Sequence, residues 1–273
     1  MKLVFVTVNY NNINETRNVL SCFSELSHGE SSVLYVVDNS DTKYECQKLD
    51  KENTNNKIKF LYPRENLGYL TGASFGVDYH YNNHGFDFDY LIILNNDIIF
   101  DVKKVLTSLK SFDEKNDAMM ISPLVIDRGV NINPYLIVRK NKRYMMFWNI
   151  ILSSFFTFKM FHKVNKYRTL LSSKKSHSST VKPFQKIYGS HGSVFILKNE
   201  YFLRGGSLRR LPFLYGEEIY IAEQVRNLGG DCVYYPLIKF EHKGSATLGN
   251  DASRFKYSCI KQGHSFLYKE FYR

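Results

Sequence analysis

The sequence predicts an α/β fold: a mostly parallel central sheet flanked by helices, with a mainly helical, basic C-terminal part. Three observations carry this. Short apolar runs alternate with segments of helical spacing, the pattern of a parallel sheet with helices on both faces. Three of those runs end in polar clusters rich in Asn and Asp, and ligands bind beyond the carboxyl ends of such strands. The chain has 273 residues, 44% of them hydrophobic, enough to bury a full core as one domain with an appendage or as two small lobes.

Residues 2–8 are a Val-rich run stopped by Asn9-Tyr10-Asn11-Asn12, read as a buried strand feeding a loop. Asn14 is expected to cap a helix over residues 15–26. Residues 33–37 form a second strand stopped by Asp38-Asn39-Ser40-Asp41, and residues 57–61 a third, stopped by Pro63. Residues 69–81 read as a helix in which Gly72, Ala73 and Gly76 permit close packing. A fourth strand, residues 90–94, ends at Asn95-Asn96-Asp97; Val102, Val105, Leu106, Leu109 and Phe112 then follow helical spacing.

Beyond residue 130 the pattern loosens. Residues 144–161 are aromatic and apolar but broken by Asn149, Ser153, Ser154 and Lys159, short of the roughly 20 apolar residues that span a bilayer. Lys140, Lys142, Arg143, Lys159, Lys163 and Lys166 flank them, so the segment reads either as a helix on the main domain or as one lying in a membrane interface. Residues 172–180 read as polar and mobile. Periodicity returns with a strand at 194–197, a helix at 217–228, a strand from 232 towards Phe240, and a tail carrying Tyr257, Phe266, Tyr268 and Phe271.

Charge divides the chain. Residues 1–100 hold 8 Lys and Arg against 13 Asp and Glu, whereas residues 101–273 hold 29 against 13. A basic second part suits an anionic partner: nucleic acid, an anionic membrane surface or a phosphate-bearing substrate. Cys22, Cys46, Cys232 and Cys259 lack paired spacing and read as reduced thiols of a cytosolic protein. The first apolar run meets Thr7 and Asn9 too soon for a signal-peptide core.

Three clusters suit chemistry. An Asp at a buried strand end, with amides before it, can hold a hard cation that phosphates and water complete; taken alone, Asn95-Asn96-Asp97 reads first as a plain turn, and its place after the strand 90–94 narrows the gap. Adjacent carboxylates at a helix start, Glu217 and Glu218, are favoured by the helix dipole, and a carboxylate is also a usual base for an acceptor hydroxyl. Neighbours on a helix point about 100° apart, so one of the two faces the acceptor. His242 suits either an ordinary strand-end position or a metal ligand. Asp38 and Asn39 suit contacts to a pyrimidine or ribose, or a turn.

Together these pieces form a known pattern. Val6-Thr7-Val8-Asn9-Tyr10-Asn11, Val37-Asp38-Asn39-Ser40, Glu65-Asn66-Leu67-Gly68-Tyr69, Leu94-Asn95-Asn96-Asp97, Gly192-Ser193, Phe213 through Glu218, and Tyr235-Pro236 through His242 occur in order. The chain resembles the family-2 glycosyltransferases of GT-A fold, in the rhamnosyltransferase-like group of bacterial O-antigen and capsule synthesis. The resemblance implies a GT-A catalytic domain over residues 1–245, with a nucleotide-binding half (1–115), an acceptor-side half (116–245) and a membrane-facing helical insertion (139–182). A helical tail, 246–273, follows. It implies nucleotide-sugar contacts from Thr7, Asn9, Asp38, Asn39, Asn66, Gly68, Asn95 and Asn96, and a Mn2+ or Mg2+ ion at Asp97 and His242. Glu218 is implied as the base, with Glu217 beside it. Asn95 stands where the family's metal motif has its first Asp, Glu218 where the family has Asp, and Gln224 where it often has Arg.

The implied activity is inverting transfer of a hexose from a UDP- or dTDP-sugar to a saccharide linked to polyisoprenyl diphosphate. The implied place is the cytoplasmic face of the membrane, with no nucleic-acid partner. The rivals are a sugar nucleotidyltransferase and a non-catalytic module binding anionic surfaces or nucleic acid. No Gly-rich phosphate loop follows the first strand, which disfavours the former and any dinucleotide oxidoreductase.

Overall fold

The computed structural model describes residues 1–26, 31–171, 181–244 and 253–273, with the backbone alone for 165–171. The segment 172–180, read as polar and mobile, lies outside them.

The first half runs β1 (Leu3–Asn9), α1 (Ile13–Ser24), β2 (Ser32–Asp38), α2 (Tyr44–Glu52), β3 (Ile58–Leu61), α3 (Tyr69–His84) and β4 (Tyr90–Asn95). It continues with β5 (Ile98–Phe100) and α4 (Val102–Asp113). The second half runs β6 (Met120–Asp127), β7 (Val130–Asn131), α5 (Lys142–Ile151), α6 (Phe155–Leu171) and β8 (Lys186–Ile187). It ends with β9 (Val194–Lys198), α7 (Asn199–Leu203), α8 (Glu217–Asn227), β10 (Cys232–His242) and α9 (Arg254–Phe271).

One sheet joins both halves in the order β3-β2-β1-β4-β9-β6-β10-β5. It is parallel from β3 through β4, as short apolar strands joined by helical crossovers dictate. There it turns mixed: β9 lies antiparallel between β4 and β6, while β10 runs parallel to β6 and antiparallel to β5. Register sets Asn9 beside Asp38 and Val8 beside Asn95, so the polar clusters of β1, β2 and β4 share one edge. Two apolar layers cover the sheet. One centres on Phe5, Phe23, Leu109 and Phe112; the other centres on Tyr35, Phe195, Tyr201 and Ile221.

The first helix differs in its start. Its cap position is Asn12 rather than Asn14, and the Asn12 carbonyl is taken by Asn96 Nδ2 at 3.1 Å, a long-range contact that fixes the turn one residue pair earlier. Helix α3 lies close on β1 as expected, because a Cβ on Gly76 would stand 2.9 Å from Val6 Cγ1. The aromatic stretch read as one helix is a hairpin, α5 and α6. Ser154 and Thr157 exchange hydrogen bonds at the break, Thr157 N donating to Ser154 Oγ at 3.1 Å, and this caps a new helix. The C-terminal segment is a helix built into the core, with Cys259, Gly263 and Leu267 buried. All four cysteines are free thiols.

Candidate functional site

A cavity of about 460 Å³ opens at the carboxyl ends of β1 and β4. Of the residues singled out in the sequence, Asn39, Asn66, Gly68, Asn95, Asn96, Asp97, Glu217, Glu218 and His242 line it. Five separate stretches of chain, from Asn39 to His242, therefore meet at one place.

Thr7, Asn9 and Asp38 do not reach that wall; they stand buried behind it. Asn9 Nδ2 donates to Asp38 Oδ1 at 2.8 Å and to Ser40 Oγ at 3.0 Å, while Asn9 Oδ1 accepts from Thr16 Oγ1 at 3.0 Å. Asp38 Oδ1 also takes the Ser40 hydroxyl at 2.6 Å. The group is a brace between the loops after β1 and β2, since buried polar atoms must find partners there. Asn96 extends it, giving Nδ2 to Thr16 Oγ1 at 3.2 Å.

In front of the brace, the third loop is locked from two sides. Asn39 Nδ2 donates to Gly68 O at 2.7 Å, and Gly68 N donates to Asn66 Oδ1 at 2.9 Å. Gly68 holds φ of 75°, and a Cβ there would stand 2.0 Å from the Phe213 carbonyl oxygen. Only glycine permits this approach. The loop 213–216 is thereby laid directly over the start of α3. Rings of Phe213 and Phe255, 6.3 Å apart edge to face, form the lip of the cavity.

The acidic end has two pairs. Asp97 Oδ1 and His242 Nε2 are 3.1 Å apart, and His242 Nδ1 is 3.8 Å from Asp127 Oδ2. The hydrogen bond to Asp97, opposed by burial and helped by the charges of Asp97 and Asp127, raises the imidazole's pKa from its ordinary value. The second pair opens α8. Glu217 Oε1 accepts Tyr215 N–H at 2.9 Å, and Glu218 Oε1 accepts Gly192 N–H at 3.3 Å. Burial raises both carboxyls, and the neighbouring Glu218 charge raises Glu217 further. Tyr215 itself sits at φ 71°, a left-handed conformation uncommon for a bulky residue and typical of functional loops.

Sequence reasoning missed Tyr69, His191 and Phe255. Tyr69 lines the cavity with its hydroxyl buried and without a hydrogen-bond partner among the described residues. Burial, then the charges of Glu217, Glu218 and Asp97, holds the phenol well above its ordinary pKa. His191 receives Ser193 N–H on Nδ1 at 3.1 Å; burial, then His242, lowers its pKa to about 4. The signal for His191 was its place in Tyr188-Gly189-Ser190-His191-Gly192, a polar, Gly-rich lead into a buried strand. Gln224 faces away from the cavity and ties the backbone of Ser207, accepting its N–H at 3.0 Å and donating to its carbonyl at 2.7 Å.

Three carboxylates line this cavity, and no Lys or Arg does among the described residues. A diphosphate would find no fixed countercharge there, so the donor set suits a bound divalent cation. Asp97 and His242 offer a carboxylate and an imidazole for it, with phosphate and water left to complete the shell. Among the described residues no cluster of three or more His, Cys, Asp or Glu is arranged to hold a metal unaided.

No protein-family model matches the chain, and no curated protein matches it in sequence. Solved structures match it in fold. GalNAc-T7 with UDP, GalNAc and Mn2+ superposes with a TM-score of 0.59 at 14% identity, over 89% of this chain and 43% of that one. S. aureus TarS 1–349 in complex with UDP-GlcNAc gives 0.57 at 9% identity, over 89% and 58%. The mannosyltransferase PcManGT from Pyrobaculum calidifontis in complex with GDP-Man and Mn2+ gives 0.51 at 12%, over 90% and 58%. The chain spans about half the length of these structures. The likeness shows a GT-A type fold, a central mixed sheet flanked by helices.

Proposed function

We propose that the chain is an inverting, metal-dependent glycosyltransferase of the hexosyl type, moving a sugar from a UDP- or dTDP-sugar to a saccharide hydroxyl. The observation that carries this is the meeting of Asp97 and His242 with Glu217 and Glu218 in one cavity, beside the loops of Asn39, Asn66 and Gly68. The acceptor is read as a saccharide on polyisoprenyl diphosphate, in cell-surface polysaccharide synthesis of the O-antigen or capsule kind. The setting is the cytoplasmic face of the membrane.

In this reading the nucleotide lies on Asn39, Asn66 and Gly68, against the brace that Asn9 and Asp38 make behind them. Asp97 and His242 would hold Mn2+ or Mg2+, which would supply positive charge where the diphosphate leaves. Glu218 takes the acceptor proton while the acceptor oxygen bonds to the anomeric carbon and the bond to diphosphate breaks. One displacement inverts the configuration. Glu218 suits the base better than Glu217, since its carboxylate accepts one longer backbone hydrogen bond, whereas Glu217 is tied at 2.9 Å to the loop that carries it. Burial raises the Glu218 pKa above the usual carboxylate value, which strengthens it as a base.

The test is a calorimetric titration with UDP, dTDP, GDP and CDP, each with Mn2+ and with chelator. One nucleotide should bind in a metal-dependent way, and Asp97→Ala should abolish the difference the metal makes. Glu218→Gln should keep that binding and lose about 100-fold or more in turnover. Failure of all four nucleotides to bind the folded protein would overturn the reading.

A further inference from the structure

Ten of the nineteen large apolar side chains exposed among the described residues fall within residues 135–164. On α6, Phe156, Met160 and Val164 follow at i, i+4 and i+8, at 73%, 58% and 50% exposure. They make one apolar stripe along the outer side. On α5, Met146, Phe147 and Ile150 are exposed in the same way. The inner sides are already used: Ile151, Leu152 and Phe158 are buried with Tyr257 and Ile260 of α9. A surface helix ordinarily turns a polar face to water. This pair exposes large apolar side chains as well as burying others.

Charge marks the same hairpin. Between Asp127 and Glu200 the sequence has no acidic residue, and Lys142, Arg143, Lys159 and Lys163 are exposed on these two helices. No helix among the described residues is long and apolar enough to cross a membrane. Apolar side chains beside cations, with no carboxylate near in sequence, match the interface of an anionic bilayer. There the apolar groups enter the boundary between headgroups and acyl chains, and the cations meet lipid phosphates.

We infer that the α5–α6 hairpin is a membrane-docking surface that seats the protein on an anionic lipid bilayer. Its link to the site is α9. Tyr257 Oη donates to the Leu152 carbonyl at 3.0 Å, and the Arg254 guanidinium lies 5.4 Å from the Phe155 ring centroid. The same helix carries Phe255 to the lip of the cavity. The bilayer contact and the cavity mouth are therefore held by one element, which places the mouth close to anything anchored in the lipid. This deepens the proposed function by naming its partner surface, although the lipid contact itself needs no transferase activity.

The experiment is co-sedimentation of the whole chain with vesicles of phosphatidylcholine alone and of phosphatidylcholine mixed with anionic phosphatidylglycerol. Binding to the anionic vesicles, weakened by salt, is expected. The pairs Phe156→Ser with Met160→Ser, and Lys159→Glu with Lys163→Glu, should each weaken it about tenfold or more. Both should keep the native melting temperature, because they replace exposed side chains. Vesicle binding unchanged in both pairs would overturn the inference. So would sedimentation velocity showing a native dimer that the serine pair dissociates, since the patch would then serve a second copy. Vesicle binding alongside failure of every nucleotide titration would uphold the docking surface and remove the transferase reading alone.

Discussion

Gly192 shows how finely the carboxylates are placed. A Cβ there would stand 2.8 Å from Glu218 Oε1, the tip of a flexible side chain rather than backbone. Gly192→Ala can therefore fold by moving the carboxylate aside. Turnover should fall about tenfold or more, as a misplacement near 1 Å commonly costs, while the melting temperature stays near native. Turnover equal to the native protein's would show that Glu218 acts in another position. The same close approach explains why the glycine, rather than the carboxylate alone, belongs to the site. Asp38 carries the opposite lesson. Its type and strand-end position pointed to a ligand contact; in the structure Oδ1 accepts from Asn9 and Ser40, while Oδ2 is buried without a partner among the described residues.

Among the elements, α9 does more than its place near the carboxyl end of the sequence suggests. A Cβ on Gly263 would lie 2.2 Å from the Tyr215 carbonyl oxygen, and Leu267 Cδ1 would stand 2.7 Å from a Cβ on Gly216. The helix thus presses on the loop that delivers Glu217 and Glu218. Here the obstacle is backbone, which cannot swing away. Gly263→Ala should lower stability by about 1–3 kcal/mol, the usual cost of overfilling a close contact, and should slow turnover as the loop shifts. Thermal melts and initial rates measured together check this; native values in both would show that α9 is no buttress. The sequence could not reveal it, because Gly263 and Tyr215 are far apart in the chain and neither lies in a periodic motif. Strands β1, β2 and β4 were legible for the converse reason: an apolar run and the polar stop after it are local. Strand β6 escaped because Ser122 and Pro123 interrupt its apolar run. The break between α5 and α6 was written in Ser153 and Ser154, but its consequence depends on Tyr257 and Ile260 more than 90 residues away.

At the scale of the whole molecule, stability should depend on pH through His80. Its ring is buried on α3, with Nδ1 3.0 Å from Tyr35 Oη and Nε2 without a partner among the described residues. Burial, then the nearby His84, lowers its pKa to about 4, against a weaker opposing pull from Asp87. The unfolded chain protonates this group near 6.5, so below that pH the unfolded state binds more protons than the folded one. The stability tied to His80 is complete above about pH 6.5 and is lost as pH falls towards 4, by up to about 1.4 kcal/mol per unit. His80→Gln should flatten the fall in melting temperature between pH 7 and 5. An unchanged slope would assign that fall to other groups.

Strand β9 joins the two halves of the sheet, and this has a consequence for synthesis. The free edge of β4 is covered by residues 194–198 and by no nearer segment among the described strands. At ordinary translation rates of about 5–20 residues per second, roughly 100 residues take about 5–20 seconds to follow. Throughout that time Tyr90-Leu91-Ile92-Ile93-Leu94, a sticky ribbon of backbone donors and acceptors, waits on the ribosome without its neighbour. The nascent chain is thus most exposed to misassembly when the loops after β1, β2 and β4 are already made, and it escapes only when the strand after Gly192 emerges.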